Sequence, residues 1–203
     1  AYACNAVKSD GTLWVWGSDS YGQLGLNGLG AQSSPIQLPG SWKVSSQGNY
    51  NSGAIKTDGT LWTWGYNNQG ALGQNQAPGT VASTSSPKQV GSDNTWKAIH
   101  MDNGRAVATK TDGSLWCWGN GQKGQIGNRL AGPAQRYSSP VRVGSDTDWG
   151  DTLGGAWGSL IAYKTNGTLW IWGDNDNGQL GQNQGAGYLN GASSPTQVPA
   201  PGG

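Results

Sequence analysis

The chain has 203 residues, with 12 Lys and Arg against 11 acids, a formal net charge of +1 and only 11% charged residues, where about 25% is usual. Its basic residues are spread along the whole length, without the stripe that neutralises phosphates, so nucleic acid is not an expected partner. Apolar runs stay far short of the ~18 residues that a membrane-spanning helix needs, so a soluble chain without membrane insertion is expected.

Glycine is abundant at 36 residues, phenylalanine is absent and every acid is Asp. Strong helix formers are scarce, and Gly, Asn, Asp, Ser and Thr favour turns, so almost no helix is expected. No secretory signal opens the sequence, although with a start at Ala1 instead of Met a processed end or an excised segment could hide one.

The first predicted elements are a strand ending at Lys8, a turn "SDGT" and a second strand "LWVWG" from Leu13. In that second strand Leu13 and Val15 face one side and Trp14 and Trp16 the other. Both faces are apolar, which suits a strand inside stacked sheets. A loop "SDSYGQLG" and a proline-centred strand "SSPIQL" from Ser33 complete the phrase, and "SWKV" at Trp42 opens the next. The leading Lys returns at Lys56, Lys110 and Lys164, spaced by 48, 54 and 54 residues, each two residues after Ala54, Ala108 or Ala162, as Lys8 follows Ala6. The Asp-Gly or Asn-Gly turn after each Lys supplies the positive φ of a tight hairpin. Further Trp strands are signalled at Trp96 and, more weakly, Trp149. Four units follow, about 1–40, 41–94, 95–147 and 148–203, forming a single repeat domain of about four short strands per unit.

In unit three, "LWCWGNGQKGQIG" holds Gly119, Gly121 and Gly124 in the order Gly-x-Gly-x-x-Gly. A dinucleotide loop needs a following helix, and none is signalled. The counterparts of Gly121 are Asp19, Asn67 and Asn175, so this glycine is peculiar to one copy. No cofactor is expected.

The phrase Lys-x-Asp-Gly-x-Leu-Trp-x-Trp-Gly, then Gly-Gln-Leu-Gly, then Ser-Ser-Pro-x-x-Val resembles the repeat of the regulator of chromosome condensation family, over the whole chain. The resemblance implies an all-β fold, a β-propeller of four-stranded blades, commonly seven, serving as a binding platform. Members include a guanine-nucleotide exchange factor on chromatin, β-lactamase inhibitors and extracellular and phage-borne proteins, so fold leaves function open. Four units imply an open arc, a partial or partnered propeller completed by further blades of the same or another chain, with a small closed ring as the rival. Unit one lacks the Trp-Lys strand and the sequence ends near the start of another, so the boundary is expected to cut across a blade.

Catalytic and metal constellations are missing from the pattern. The single histidine, His100, with Asp102 nearby, has neither a nucleophile elbow nor a second ligand cluster, and reads as an exposed loop residue in place of Ser46 and Leu153. "DNDNG" from Asp174 fails the calcium-loop spacing and reads as Asx turns. The sequon Asn166-Gly167-Thr168 occupies a hairpin slot where turn chemistry suffices. Cys4 and Cys117 fall in different frames and read as two small buried thiols.

Recognition has better support. The loop before each Ala strand carries Tyr2, Tyr50, the segment His100, Met101 to Arg105, and Trp157, which would gather on one face near the axis. The same aromatics also suit plugging of a central channel. Longer loops, with Arg129, Arg136 and Arg142 in unit three, offer a second surface. The expectation is a non-enzymatic recognition or structural module binding a protein or glycan, placed outside the cell or on a virion. Alternatives are an exchange factor for a small GTPase and a protein inhibitor of an enzyme.

Overall fold

The computed structural model describes residues 2–76, 83–132, 134–156, 158–182 and 191–199. Among them there is no α-helix, only strands and turns. Blade one holds β1 (Ala3–Val7), β2 (Leu13–Gly17) and β3 (Gln32–Leu38), in that order. Blade two holds β4 (Trp42–Gln47), β5 (Asn51–Lys56), β6 (Leu61–Tyr66) and β7 (Ser83–Gln89). Blade three holds β8 (Trp96–Asp102), β9 (Arg105–Lys110), β10 (Leu115–Asn120) and β11 (Arg136–Arg142). Blade four holds β12 (Trp149–Ala156), β13 (Ser159–Lys164), β14 (Leu169–Gly173) and β15 (Ala192–Gln197). Every pairing is antiparallel. Neighbouring blades meet through their inner strands, β1 on β4, β4 on β8 and β8 on β12.

Each hairpin is locked by the residues that write it. Asp10 Oδ1 accepts from the backbone N–H of Thr12 at 3.0 Å and from its hydroxyl at 2.6 Å, and Thr12 Oγ1 accepts from Trp14 Nε1 at 2.9 Å. The relay recurs through Asp58, Thr60 and Trp62, through Asp112, Ser114 and Trp116, and through Asn166, Thr168 and Trp170. The repeated lysine caps it. Lys110 Nζ lies 4.6 Å from the ring centroid of Trp96 and 3.9 Å from that of Trp116, and Lys56 and Lys164 sit likewise between Trp42 and Trp62 and between Trp149 and Trp170. Among the described residues Lys8 has Trp14 as its one indole, because blade one shows three strands and no counterpart of β4, β8 or β12.

Three hydrophobic seams hold the arc together, each an aliphatic face on an indole-and-alanine face. Leu13, Val15 and Leu24 pack on Trp42, Ala54 and Trp64. Ile55, Leu61 and Val90 pack on Trp96, Ala108 and Trp118. Val107, Leu115 and Ile126 pack on Trp149, Ala162 and Trp172. Within each seam the second Trp of one blade enters the loop of the blade before it. Trp64 Nε1 donates to the Gln23 carbonyl at 2.9 Å, Trp118 to that of Ala71 at 2.8 Å and Trp172 to that of Gln125 at 2.8 Å.

The sheet register explains the aim of these indoles. In all four blades the pairing of the Trp strand with the outer strand shifts around the second Trp, and such a bulge redirects a side chain. The glycine that follows is required by its conformation: at Gly65, with φ of 94°, a Cβ would lie 2.4 Å from the Tyr50 carbonyl oxygen. Cys117 is buried in the third seam, as read from sequence. Cys4, read from sequence as buried, is instead exposed, since among the described residues no blade packs on that face of β1.

Candidate functional site

One rim of the arc gathers the turns β4–β5, β8–β9 and β12–β13 with the segments that follow β2, β6, β10 and β14. Backbone hydrogen bonds tie the two sets: Tyr66 N donates to Tyr50 O, Asn120 N to Gly104 O and Asp174 N to Gly158 O. Between blades three and four, with the β4–β5 turn at its edge, lies a cleft of about 510 Å³ lined by Gln47, His100, Asp102, Arg105, Lys123 and Asp174, among others.

Arg105 is the centre of this cleft and is only 6% exposed. It begins β9 after the Asn103-Gly104 turn, opposite Asp102 in the hairpin register. Its Nη2 donates to the Asn103 carbonyl at 3.2 Å, while Nε stands 3.6 Å from Asp102 Oδ2. Among the described residues Arg105 Nε and Nη1 and Asp102 Oδ2 have no hydrogen-bond partner. Burial pulls the guanidinium below its ordinary value, against the charges of Asp102 and Asp174. Across the cleft Lys123 bonds Asp176 and, at 3.1 Å, Asp174. Those hydrogen bonds, Asp176 first, push the Lys123 ammonium up, and burial of Asp174 is outweighed by its hydrogen bonds from Asp176 N–H and Lys123, which hold its carboxyl low.

His100 departs from the sequence expectation. It is a strand residue, paired with Val107 in β8, and half-buried instead of exposed on a loop. Ser46 pairs with Gly53 in the same register, but in blade four the corresponding pair is Gly154 with Ile161, so Leu153 is displaced from that frame. Burial pushes the His100 imidazole below its ordinary value, against Asp102 and the Gly155 backbone, which favour protonation. Met101 is 1% exposed and belongs to the second seam, close against Gly53.

Tyr2 is almost fully exposed beside the β4–β5 turn. Tyr50 joins Tyr21 and Tyr66, with ring centroids 4.6 to 6.2 Å apart, in an aromatic shelf on the rim. Trp157 lies outside the described residues. Of the residues named from sequence, the rim therefore presents Tyr2, Tyr50, His100 and Arg105, while Met101 packs in the core.

Sequence reasoning missed Tyr21, Tyr66, Lys123 and Asp174 as members of this rim. A signal existed: Lys123 stands where the other units carry Tyr21, Gln69 and Asn177, and Asp174 where they carry Ser18, Tyr66 and Asn120. The run from Asp174 forms an Asx turn, with Asp174 Oδ1 accepting from Asp176 N–H, while Asn175 Oδ1 reaches five residues on to accept from Leu180 N–H. Among the described residues no three His, Cys or acidic side chains gather as a metal site.

A family model for the regulator of chromosome condensation (RCC1) repeat matches residues 10–51, 58–106, 112–151 and 166–203. The chain is similar in structure to yeast RCC1 (Prp20) in its complex with Kap60, at TM-score 0.84 and 18% identity over 98% of this chain and 47% of that one. It is similarly close to Prp20p of Saccharomyces cerevisiae in a structure described with its binding to Gsp1p and histones, at 0.84 and 17%, over 98% and 49%. Human WBSCR16 follows at 0.77 and 19%, over 97% and 50%. The chain thus spans about half the length of these relatives. With four matched repeats, a shared arc of stacked blades and the Trp-into-loop seams, the chain belongs to the RCC1-repeat family of β-propeller proteins.

Proposed function

We propose that this chain is a non-enzymatic recognition module whose rim binds a protein, with a polar group of the partner entering the Arg105 cleft beside the Tyr21, Tyr50 and Tyr66 shelf. The observation that carries this reading is the rim's combination of the tyrosine shelf with a polar cleft whose buried Arg105 and Asp102 are held by a long ion pair of 3.6 Å, without a full-strength hydrogen bond between them. A long ion pair leaves part of each group's hydrogen-bonding capacity unused, so a partner group that reaches it as the hairpin turn adjusts gains affinity. A peptide or side-chain amide, which both donates and accepts, complements that pair. Two cations, Arg105 and Lys123, face two carboxylates, Asp102 and Asp174, so the cleft offers a bare anion little net attraction. The relatives' protein partners, Kap60, Gsp1p and histones, favour a protein over a glycan.

Binding on protein and glycan arrays tests this. Tyr50→Ala and Arg105→Met are expected to weaken a captured protein by about 30-fold or more each, as interface anchors do, with circular dichroism unchanged. Capture of glycans alone, or indifference to both substitutions, overturns the reading. A second reading, an exchange factor for a small GTPase, is favoured by the likeness to Prp20p, and accelerated nucleotide release from a GTPase panel would select it.

A further inference from the structure

The hairpin β8–β9 has Asp102 and Arg105 at the rim and Trp96 paired with Lys110 at its other end. At that other end of the blades, each inner Trp follows a connection from the blade before it. Between blades one and two the connection is short. Three residues separate Leu38 from Trp42, and the Pro39 carbonyl accepts from Trp42 Nε1 at 3.3 Å. The chain passes so close that a Cβ at Gly40 would lie 2.9 Å from the same nitrogen.

The next two connections are built differently. Five residues separate Val90 from Trp96 and Val143 from Trp149, with Gly91 and Gly144 in the place of Pro39. A Cβ at either glycine would meet nothing within 4 Å. Trp96 and Trp149 are each 4% exposed, and among the described residues Nε1 of both has no hydrogen-bond partner. Each indole lines a groove at a seam inside the arc, walled by a blade on either side. One, of about 590 Å³, includes Asn75, Gln89, Val90, Trp96, Trp116 and Pro140. The other, of about 530 Å³, has Arg129, Arg142, Val143, Trp149, Trp170 and Pro195 in the same places.

We infer that both grooves bind an extended, proline-containing segment of a partner protein, a carbonyl of the segment accepting from the inner indole N–H and its proline ring packing on half-buried Trp116 or Trp170. The first seam shows the kind of occupant: there a Pro-Gly segment of this chain supplies the carbonyl to the equivalent indole. Proline suits an aromatic-walled groove because its ring is apolar, its φ is fixed before binding and it brings no N–H that needs a partner. The two indole nitrogens lie beneath the surface, so the carbonyl enters as the exposed segments at Gly91 and Gly144 shift aside. A buried donor without a partner favours that exchange. Charge separates the two grooves. Asp146 is bridged to Lys164 at 2.6 Å, and the exposed Arg129 and Arg142 give the groove between blades three and four a positive wall. Asn75 and Gln89 are neutral in those places, so acidic residues flanking the proline select the groove at Trp149.

Fluorescence anisotropy of labelled synthetic peptides on the 203-residue chain tests the inference. The probe is Asp-Leu-Pro-Gly-Pro-Leu-Asp, with one control carrying Ala for both Pro and another carrying Lys for both Asp. The probe is expected to bind saturably to the unaltered chain, and the alanine control about 10-fold more weakly or worse. Trp96→Phe combined with Trp149→Phe keeps both rings and removes both donors, and should weaken the probe by about 10-fold, as loss of one hydrogen bond does. Trp42→Phe should leave its affinity unchanged, because Pro39 already holds that indole. Arg142→Asp should reverse the preference for Asp over Lys flanks. Tyr50→Ala, which tests the rim, should not affect the probe, so the two readings fail separately, and circular dichroism checks each variant's fold. Absence of saturable binding, equal binding of the alanine control, or indifference to the double Phe variant overturns the inference. A flank preference that survives Arg142→Asp overturns the assignment of acidic segments to the groove at Trp149.

Discussion

At position 121 a glycine stands where other blades carry Asp19, Asn67 or Asn175, whose side chains accept the N–H of Leu24, Leu72 and Leu180. The chain has closed over the gap: a Cβ at Gly121 would lie 2.5 Å from Ile126 Cγ1, and Ile126 replaces the leucine of the other copies. Restoring the common residue with Gly121→Asn is therefore expected to destabilise by about 1–3 kcal/mol through overpacking. Adding Ile126→Leu should relieve it, with a coupling energy of roughly 0.5–3 kcal/mol in a urea-denaturation double-mutant cycle. Trp118→Phe should cost about 1–3 kcal/mol by orphaning the buried Ala71 carbonyl, while Trp16→Phe, at a half-buried end, should cost far less. Acid acts on the turn aspartates. Hydrogen bonds from Thr12 hold Asp10 at about 2, and at Asp93 bonds from Lys110 and Thr95 outweigh burial to hold it at about 2. Folded values below the unfolded value of about 3.9 mean that their stabilisation is complete above about pH 4 and is lost as pH falls toward 2. Thermal melts across that window should show the loss, and Asp10→Asn should flatten part of it, since Asn166 makes the same turn bonds in blade four.

At the scale of strands and hairpins, much was legible because the chemistry is local. The Asp-Gly turns, the alternation in "LWVW" and the Ser-Ser-Pro strands act through neighbours one to four residues away, and four copies separate scaffold from variation. The lysine before each turn was visible as a repeat, yet its place between two indoles depends on the inner strand folding back across the hairpin, as Trp96 does over Lys110. Lys110→Met is expected to lower stability by roughly 1–2 kcal/mol in denaturant unfolding, through loss of the cation–π sandwich. His100 was misplaced for a related reason. The "HMDNGR" segment looks like a loop by composition, but Asn103-Gly104 makes so tight a turn that His100 to Asp102 stay in the ladder. The partners of Arg105 and Lys123 come from other strands and other blades, and no spacing within one unit encodes them.

For the whole molecule, an arc of repeated blades has nearest-neighbour energetics: each seam stabilises the two blades it joins and the ends have one seam each. The blade architecture was readable because both faces of the Trp strand are apolar in every copy. The asymmetry of those faces, aliphatic on one side and indole on the other, was legible too, but that each aliphatic face packs on the indole face of the next blade becomes plain only once the blades are stacked. That asymmetry bears on biosynthesis. The three indoles that cross the seams each reach back to a loop made earlier, Trp64 to Gln23, Trp118 to Ala71 and Trp172 to Gln125. The receptacle thus leaves the ribosome before its plug, and the chain can ratchet shut from its N-terminus during translation without waiting for anything downstream.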